Sequence, residues 1–574
     1  MPIASGPLRS SRQPPAVSSQ PRAGASYLWS WGRKLAAPLL CAAVIWAYCP
    51  ALHAGFIKFD DVSYVAENPL LKSGDGLRRI WLDPLGYPPA LQYYPLTFTT
   101  FYLEHLLWKD RPHGYHATNI GLHAANALLL LLLLRRLRVG GAFAAALLFA
   151  LHPVCVQSVA WIVERKNLLS VFFCLLTTLA FVRYLHGSRS RDYLAALVLF
   201  ALALLSKTAV CTLPLALLAI TWWRWPQKWK QAAVRLVPLL LLSTILGLIT
   251  VAHEQSYYFG QTIHRPRSVL EKTLVAGRAL WFYAEKLAAP AGLVPIYPKW
   301  TIDPRDPTAY LWPAVAVAAL VLLWHLRPRL GKGPVVAAVV FVTMLAPVLG
   351  FVDFGYLGHS YVSDHFAYAA SMAGVAALVS AAVQLTRPLA TYANLVRTMA
   401  TAAVAVGLGL QTRALSRIYA DPESFWGYIV ARNPHETAYS ALGDAYLREG
   451  ELARAERLLW QAVRAGDSSY NRFRLGELAV QRRQYAEARE HFRLALELNR
   501  NKDRVRGLDE RLLCNLGMAC WHLQEFEQAR DYYRQALALD PDLEVARKWL
   551  ARVETRIRAE PRQPSSTTAT AASP

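Results

Sequence analysis

The sequence predicts an all-α protein in two parts, a polytopic transmembrane helical bundle followed by a solenoid of short helical repeats. Three observations lead there. Apolar residues make up 54% of the 574, and they gather in long runs that end near residue 410. Beyond that point a period of about 33 residues takes over. The net charge of +23 is confined to short loops between the apolar runs and to the N-terminal tail.

The runs come first. A stretch of about 20 apolar residues crosses a bilayer as a helix, because lipid offers no partner for an open backbone. Eleven crossings are expected, at 35–54, 117–134, 141–161, 167–185, 193–206, 209–223, 236–253, 310–326, 334–352, 366–385 and 393–411. Arg135, Arg136 and Arg138, then Arg183, Arg189 and Arg191, then Arg224, Lys228, Lys230 and Arg235, then Arg327, Arg329 and Lys332 fall in short loops. Such loops mark the cytoplasmic side. The N-terminus is therefore expected inside and the C-terminus outside. Two long outer regions result, 55–115 and 254–309. The stretch 273–289 carries Arg278, Glu285 and Lys286 and is read as a re-entrant or interfacial helix. Residues 1–26 and 561–574 are expected to be disordered tails around a membrane domain at 27–411.

Between 411 and 560 there are 25 basic and 23 acidic side chains, so this half is nearly neutral. No basic patch interleaved with aromatics occurs, and nucleic acid is not an expected partner. The seven cysteines form neither a CxxC nor a Cys/His set, so no disulfide framework or zinc site is expected.

The period is visible in Leu442-Gly443, Leu475-Gly476 and Leu516-Gly517. Ala455, Ala488 and Ala529 follow at one fixed offset, and Ala462, Ala495 and Ala536 at another. Small residues let paired helices approach, and large ones fill the gaps. The pattern resembles tetratricopeptide repeats, placed at 414–560, with an insertion around 499–511.

Four clusters carry chemistry. Asp60 and Asp61 sit in the first outer loop. One carboxylate there can take a proton from an acceptor hydroxyl, and its neighbour can help hold a divalent cation. A solvated loop pair is the alternative. His116, Asn119 and His123 share one helical face, where they serve either a site or interhelical hydrogen bonds. Glu164, Arg165, Lys166 and Asn167 form an outer turn, and Lys207 lies at a second. Outer cations there either bind a lipid phosphate or snorkel to headgroups. Asp353, His359, Asp364 and His365 occupy the last wide outer loop.

Taken in order, Phe56-Ile57-Lys58-Phe59-Asp60-Asp61, Asn68-Pro69, Tyr94-Pro95-Leu96-Thr97, Tyr115-His116 with Asn119 and His123, Leu151-His152-Pro153 to Trp161, Glu164 to Leu169, Ser206-Lys207, Tyr283, Leu293 and Tyr297-Pro298 resemble the transmembrane and tetratricopeptide-repeat proteins. Those are O-mannosyltransferases in animals with bacterial relatives, and the resemblance spans roughly residues 35–550. It implies a GT-C type membrane domain and a donor sugar, mannose by analogy, carried on a polyprenyl phosphate. It further implies that the repeats recruit a protein acceptor whose Ser or Thr hydroxyl receives the sugar. Asp60 and Asp61 match the family's acidic motif and are expected to be catalytic. A divalent cation is the one cofactor this leaves room for, with Asp61 its candidate ligand. Arg165 and Lys207 are expected to hold the donor phosphate, supported by His116, Asn119, His123, Glu164 and Asp364. The family's Asp-Arg-Tyr-like motif is here Asp364-His365-Phe366, without the arginine. A non-enzymatic scaffold for envelope assembly is the rival reading. A flippase or transporter ranks below it, since few charges lie mid-span. The Arg/Ala-rich composition and the lack of Asn-x-Ser/Thr sites suit a bacterial inner membrane with periplasmic repeats, the endoplasmic reticulum being the alternative.

Overall fold

A computed structural model describes residues 23–57, 59–83, 92–258, 267–505 and 507–559. The C-terminal tail and all but 23–26 of the N-terminal tail lie outside these residues. Helices make up the architecture, with no strand among the described residues.

Among the described residues seven helices are long and apolar enough to cross a membrane: Leu35–His53, Pro112–Arg136, Ile162–Gly187, Pro226–His253, Pro307–Leu330, Asp364–Leu385 and Arg387–Tyr419. An eighth crossing results if Ala142–Ala150 and Pro153–Ala160, bent by 50°, form one span. The chain is a multi-pass membrane protein. All eleven expected segments are largely helical, but the expected count of eleven spans is larger than the seven or eight that length and composition support. The difference lies in Ser190–Ser206, Thr208–Arg224 and Gly333–Val348. The last two are apolar but shorter than the bilayer is thick, since each residue adds 1.5 Å.

The bundle buries small and aromatic residues inward and leaves large apolar ones outside. Helix Leu311–Leu330 buries none of its residues and exposes Leu311, Trp312, Val317, Val321 and Trp324. That surface suits lipid, where packing rather than water exclusion joins helices. The stretch expected to be re-entrant or interfacial is helix Val269–Ala288. Ser268 and Glu271 close a capping box at its start, which satisfies two amides that would otherwise lack partners.

Three helical hairpins follow: Glu436–Glu449 with Leu452–Ala465, Ser469–Gln481 with Tyr485–Leu498, and Leu508–His522 with Phe526–Leu539. Helix Glu544–Ala559 closes the stack. The recurring glycines sit where the two helices of each hairpin touch. A Cβ on Gly476 would stand 2.4 Å from the Phe492 ring, and one on Gly517 would stand 2.8 Å from Tyr533. All six recurring alanines are fully buried. The insertion forms one π-helical turn, Asn499–Asp503, which Asn499 locks by donating to Asp509 at 2.7 Å. Gly476→Val is expected to destabilise the array by about 1–3 kcal/mol through overpacking, read as a lower denaturation midpoint.

The link between bundle and repeats is a short helix, Pro422–Val430, whose Phe425, Trp426 and Ile429 join the core of the membrane domain. Tyr428 donates to the Leu293 carbonyl at 2.9 Å, and Asn433 to that of Ile296 at 3.0 Å. The repeats are thereby fixed against the outer-loop end of the bundle.

Candidate active site

A cavity of about 590 Å³ opens at that end. Its walls come from junctions assigned above to the outer side. They are the 59–64 loop, the start of Ile162–Gly187, the turn at 207–212, the end of Pro226–His253, and the segments at 346–348 and 352–366. The basic loops lie at the opposite ends of the same helices. The volume falls within the range of small-molecule sites.

The acidic loop is built around Asp61. Its carboxylate is fully buried and accepts two backbone amides, Ile57 at 2.9 Å and Val163 at 3.1 Å. With one amide on each oxygen, Asp61 staples its own loop to the turn Ile162–Glu164 that leads into helix Arg165–Gly187, and it does not line the cavity. The expectation that it acts in catalysis or ligates a cation is corrected to a positioning role. Asp60 points the other way and lines the cavity. Burial pushes the Asp60 carboxyl up to about 6, with Lys166 pulling it down and Glu164 pushing it up. Asp60 itself is half-buried and open to the cavity. Burial pushes Asp61 further, up to about 8, against the pull of its two amide hydrogen bonds.

Glu164 organises the cationic part of the lining. It lies 3.2 Å from Lys166, 3.5 Å from Lys207 and 3.8 Å from the His365 Nε2, and accepts a hydrogen bond from Asn167 at 2.6 Å. Asn167 in turn accepts from Lys207 at 2.7 Å. Two lysines around one carboxylate leave a net positive charge at low dielectric, which suits an anion.

Arg165 is not part of this wall. Its guanidinium is fully buried behind it, donating to Glu104 at 2.5 Å, Asn119 at 2.6 Å and the Tyr115 carbonyl at 2.7 Å, with the Phe101 ring 5.0 Å away. With those partners it cannot reach a donor phosphate. Successive residues of a helix point about 100° apart, so Lys166 faces the cavity where Arg165 faces the core.

The expected supporting residues divide in the same way. Asn119 donates to the carbonyls of Val159, Trp161 and Ile162. His123 lies between the Tyr368 hydroxyl, 2.8 Å from Nδ1, and the Ala150 carbonyl, 3.0 Å from Nε2. His116 approaches the Gly55 carbonyl at 3.5 Å, and Asp364 accepts from Tyr297 at 2.7 Å. None of the four lines the cavity. They pin the elements that do, as Thr97 does by donating to the Ser206 carbonyl at 2.9 Å. Of the expected residues, Asp60, Glu164 and Lys207 are brought together at the cavity. Lys166, His359, His365, Tyr64, Phe59 and Trp161 join them. The helix start at Arg165 is the signal that separates Lys166 from its neighbour.

Residues 119–252, which supply part of this cavity, match the family described as dolichyl-phosphate-mannose-protein mannosyltransferase. Residues 467–542 match the tetratricopeptide repeat family. Part of the chain is similar to protein O-mannosyl-transferases. It is 33% identical to protein O-mannosyl-transferase TMTC3 of Mus musculus over 152 residues, 25% of this chain and 16% of that protein. Against TMTC1 of Homo sapiens identity is 35% over 167 residues, 27% of this chain and 18% of the relative. Against F38B6.6 of Caenorhabditis elegans it is 30% over 191 residues, 31% and 27% respectively. The chain thus spans between about a sixth and a quarter of the length of the relatives it matches.

Proposed function

We propose that this protein is a membrane glycosyltransferase that moves a sugar, mannose by the names of its relatives, from a polyprenyl-phosphate carrier to a Ser or Thr hydroxyl of a protein. The observation that carries the reading is the cavity itself, which holds a cavity-facing carboxylate and two lysines in one lining. Asp60 takes the proton of the acceptor hydroxyl as its oxygen attacks the anomeric carbon. The bond from that carbon to the phosphate oxygen breaks on the opposite face, and the sugar is inverted. Lys166 and Lys207 meet the charge that grows on the leaving phosphate. The apolar walls at Gly247, Thr250, Val251, Pro347 and Val348 lie at the level where a polyprenyl chain would leave the site. The repeats, fixed beside the cavity, present the acceptor.

On this reading the cavity and the repeats face the non-cytosolic compartment, the periplasm in a bacterium. The expected divalent cation is poorly matched by the residues present. Both Asp61 oxygens are committed to amides, and among the described residues no three His, Cys, Asp or Glu side chains gather to hold an ion. EDTA is expected to change transfer by less than about two-fold, a small effect because the lysine pair carries the phosphate charge. A loss restored by Mg²⁺ or Mn²⁺ would place an ion between Asp60 and the donor phosphate.

The deciding experiment incubates purified protein with polyprenyl-phosphate-mannose and Ser/Thr peptides and reads glycopeptides by mass spectrometry. Product formation by the wild type and not by Asp60→Asn supports the reading. No transfer from a panel of lipid-linked sugars, together with specific protein capture by the repeats, would favour the scaffold.

A further inference from the structure

Asp60 is held from two sides, and one of them belongs to the link between the bundle and the repeats. On one side Asp61 is fixed by its two amides. On the other, the Phe59 ring sits among three aromatic neighbours: Trp161 at 5.7 Å, His359 at 5.9 Å and Trp426 at 5.6 Å between centroids. Trp161 and His359 come from the membrane domain. Trp426 comes from helix Pro422–Val430, the link to the repeats, and is 1% exposed. The turn just before that helix is tied to the segment leading into the acidic loop by the Gly55 amide, which donates to the Ala420 carbonyl at 2.9 Å. The helix is tied to the first repeat by Tyr446, which donates to Glu423 at 2.6 Å.

We propose that Trp426 is a positioning residue for Asp60, acting through the Phe59 ring, so that the seat of the first repeat sets the geometry of the catalytic carboxylate. The inference rests on the transferase reading for its kinetic consequence but not for its structural one. Aromatic contacts of this kind fix ring orientation as well as bury area, and a backbone displaced by one ångström at Phe59 carries Asp60 with it. Tethering alone would need no such contact. A flexible linker would recruit an acceptor as well, and the repeats would then be separable from the chemistry.

The test uses full-length protein in detergent, with Trp426→Ala, Trp426→Phe and the wild type compared. For transfer to a short Ser/Thr peptide, Trp426→Ala is expected to lower kcat at least about ten-fold, with the donor KM within about two-fold. Trp426→Phe, which keeps a ring against Phe59, is expected to restore kcat to within about three-fold. Independently of activity, modification of Asp60 by a water-soluble carbodiimide at fixed pH, read by peptide mass spectrometry, should rise several-fold in Trp426→Ala and stay near wild type in Trp426→Phe. Unchanged kcat or unchanged labelling in Trp426→Ala overturns the proposal. So does an equal loss in both variants with a lowered thermal midpoint, which would mark Trp426 as packing alone. An inactive wild type would remove the transferase reading and leave the labelling to decide this one.

Discussion

Asp60→Asn is expected to lower transfer by about 10²–10⁴-fold, the range that a positioned general base contributes, while the protein keeps its fold and its donor KM. The fold should survive because the anchor of this loop is its neighbour. Asp61, not Asp60, accepts the Ile57 and Val163 amides, and Asp60 holds its place through its backbone, whose carbonyl accepts from the Tyr64 amide at 2.9 Å. The donor KM should survive because the phosphate is met by Lys166 and Lys207. The pH profile follows from the same burial. A base works only when deprotonated, and burial pushes Asp60 up to about 6 from the ordinary range near 4. The rate should therefore fall as pH drops through about 6, two units above where an exposed aspartate would fail. Lys166 pulls that midpoint down and Glu164 pushes it up, so Lys166→Met should move the limb to higher pH. An acid limb near 4 would mean that Asp60 is an exposed loop carboxylate and not the base.

Much of this was legible in the sequence, and the parts that were not share a cause. Every expected segment is largely helical, though that at 141–161 is bent by 50°, because apolar runs and basic loops report directly on lipid and charge. The Leu-Gly and Ala positions of the repeats report directly on helix contact, as the Gly476 and Gly517 approaches show. What sequence cannot give is direction. Asp60 and Asp61 are adjacent and chemically identical, yet one faces the cavity and the other closes a loop. Arg165 and Lys166 are adjacent cations, and the wrong one is the obvious choice because arginine is the better phosphate ligand in general. Its own binding capacity is spent on Glu104, Asn119 and Tyr115, residues at least 46 positions away in the chain. Span number fails for a related reason. A 17-residue helix such as Ser190–Ser206 has the same composition whether it crosses a bilayer or ends within the bundle.

The Arg165 and Lys166 pair separates fold from chemistry in one experiment. Arg165→Met removes the cation from a buried ion pair and leaves the Glu104 carboxylate without its partner. Breaking such a pair costs about 3–5 kcal/mol, and here two further hydrogen bonds, to Asn119 and the Tyr115 carbonyl, go with it. The expected result is a large fall in thermal midpoint in detergent, with loss of activity that tracks loss of folded protein. Lys166→Met is expected to behave in the opposite way. Lys166 lines the cavity, its ammonium lies 5.2 Å from the Tyr64 ring centroid, and Glu164 keeps Lys207 and Asn167 as partners when it is gone. The fold should persist, and transfer should fall by about 10²-fold, the scale for one donor that meets charge in the transition state. A like-sized loss in Lys207→Met, with the double variant no worse than about the sum in free energy, would show two lysines sharing one phosphate. If Arg165→Met kept its stability and lost only transfer, the guanidinium would have to leave Glu104 to meet the donor, and the wall built on Glu164 would not be the phosphate site.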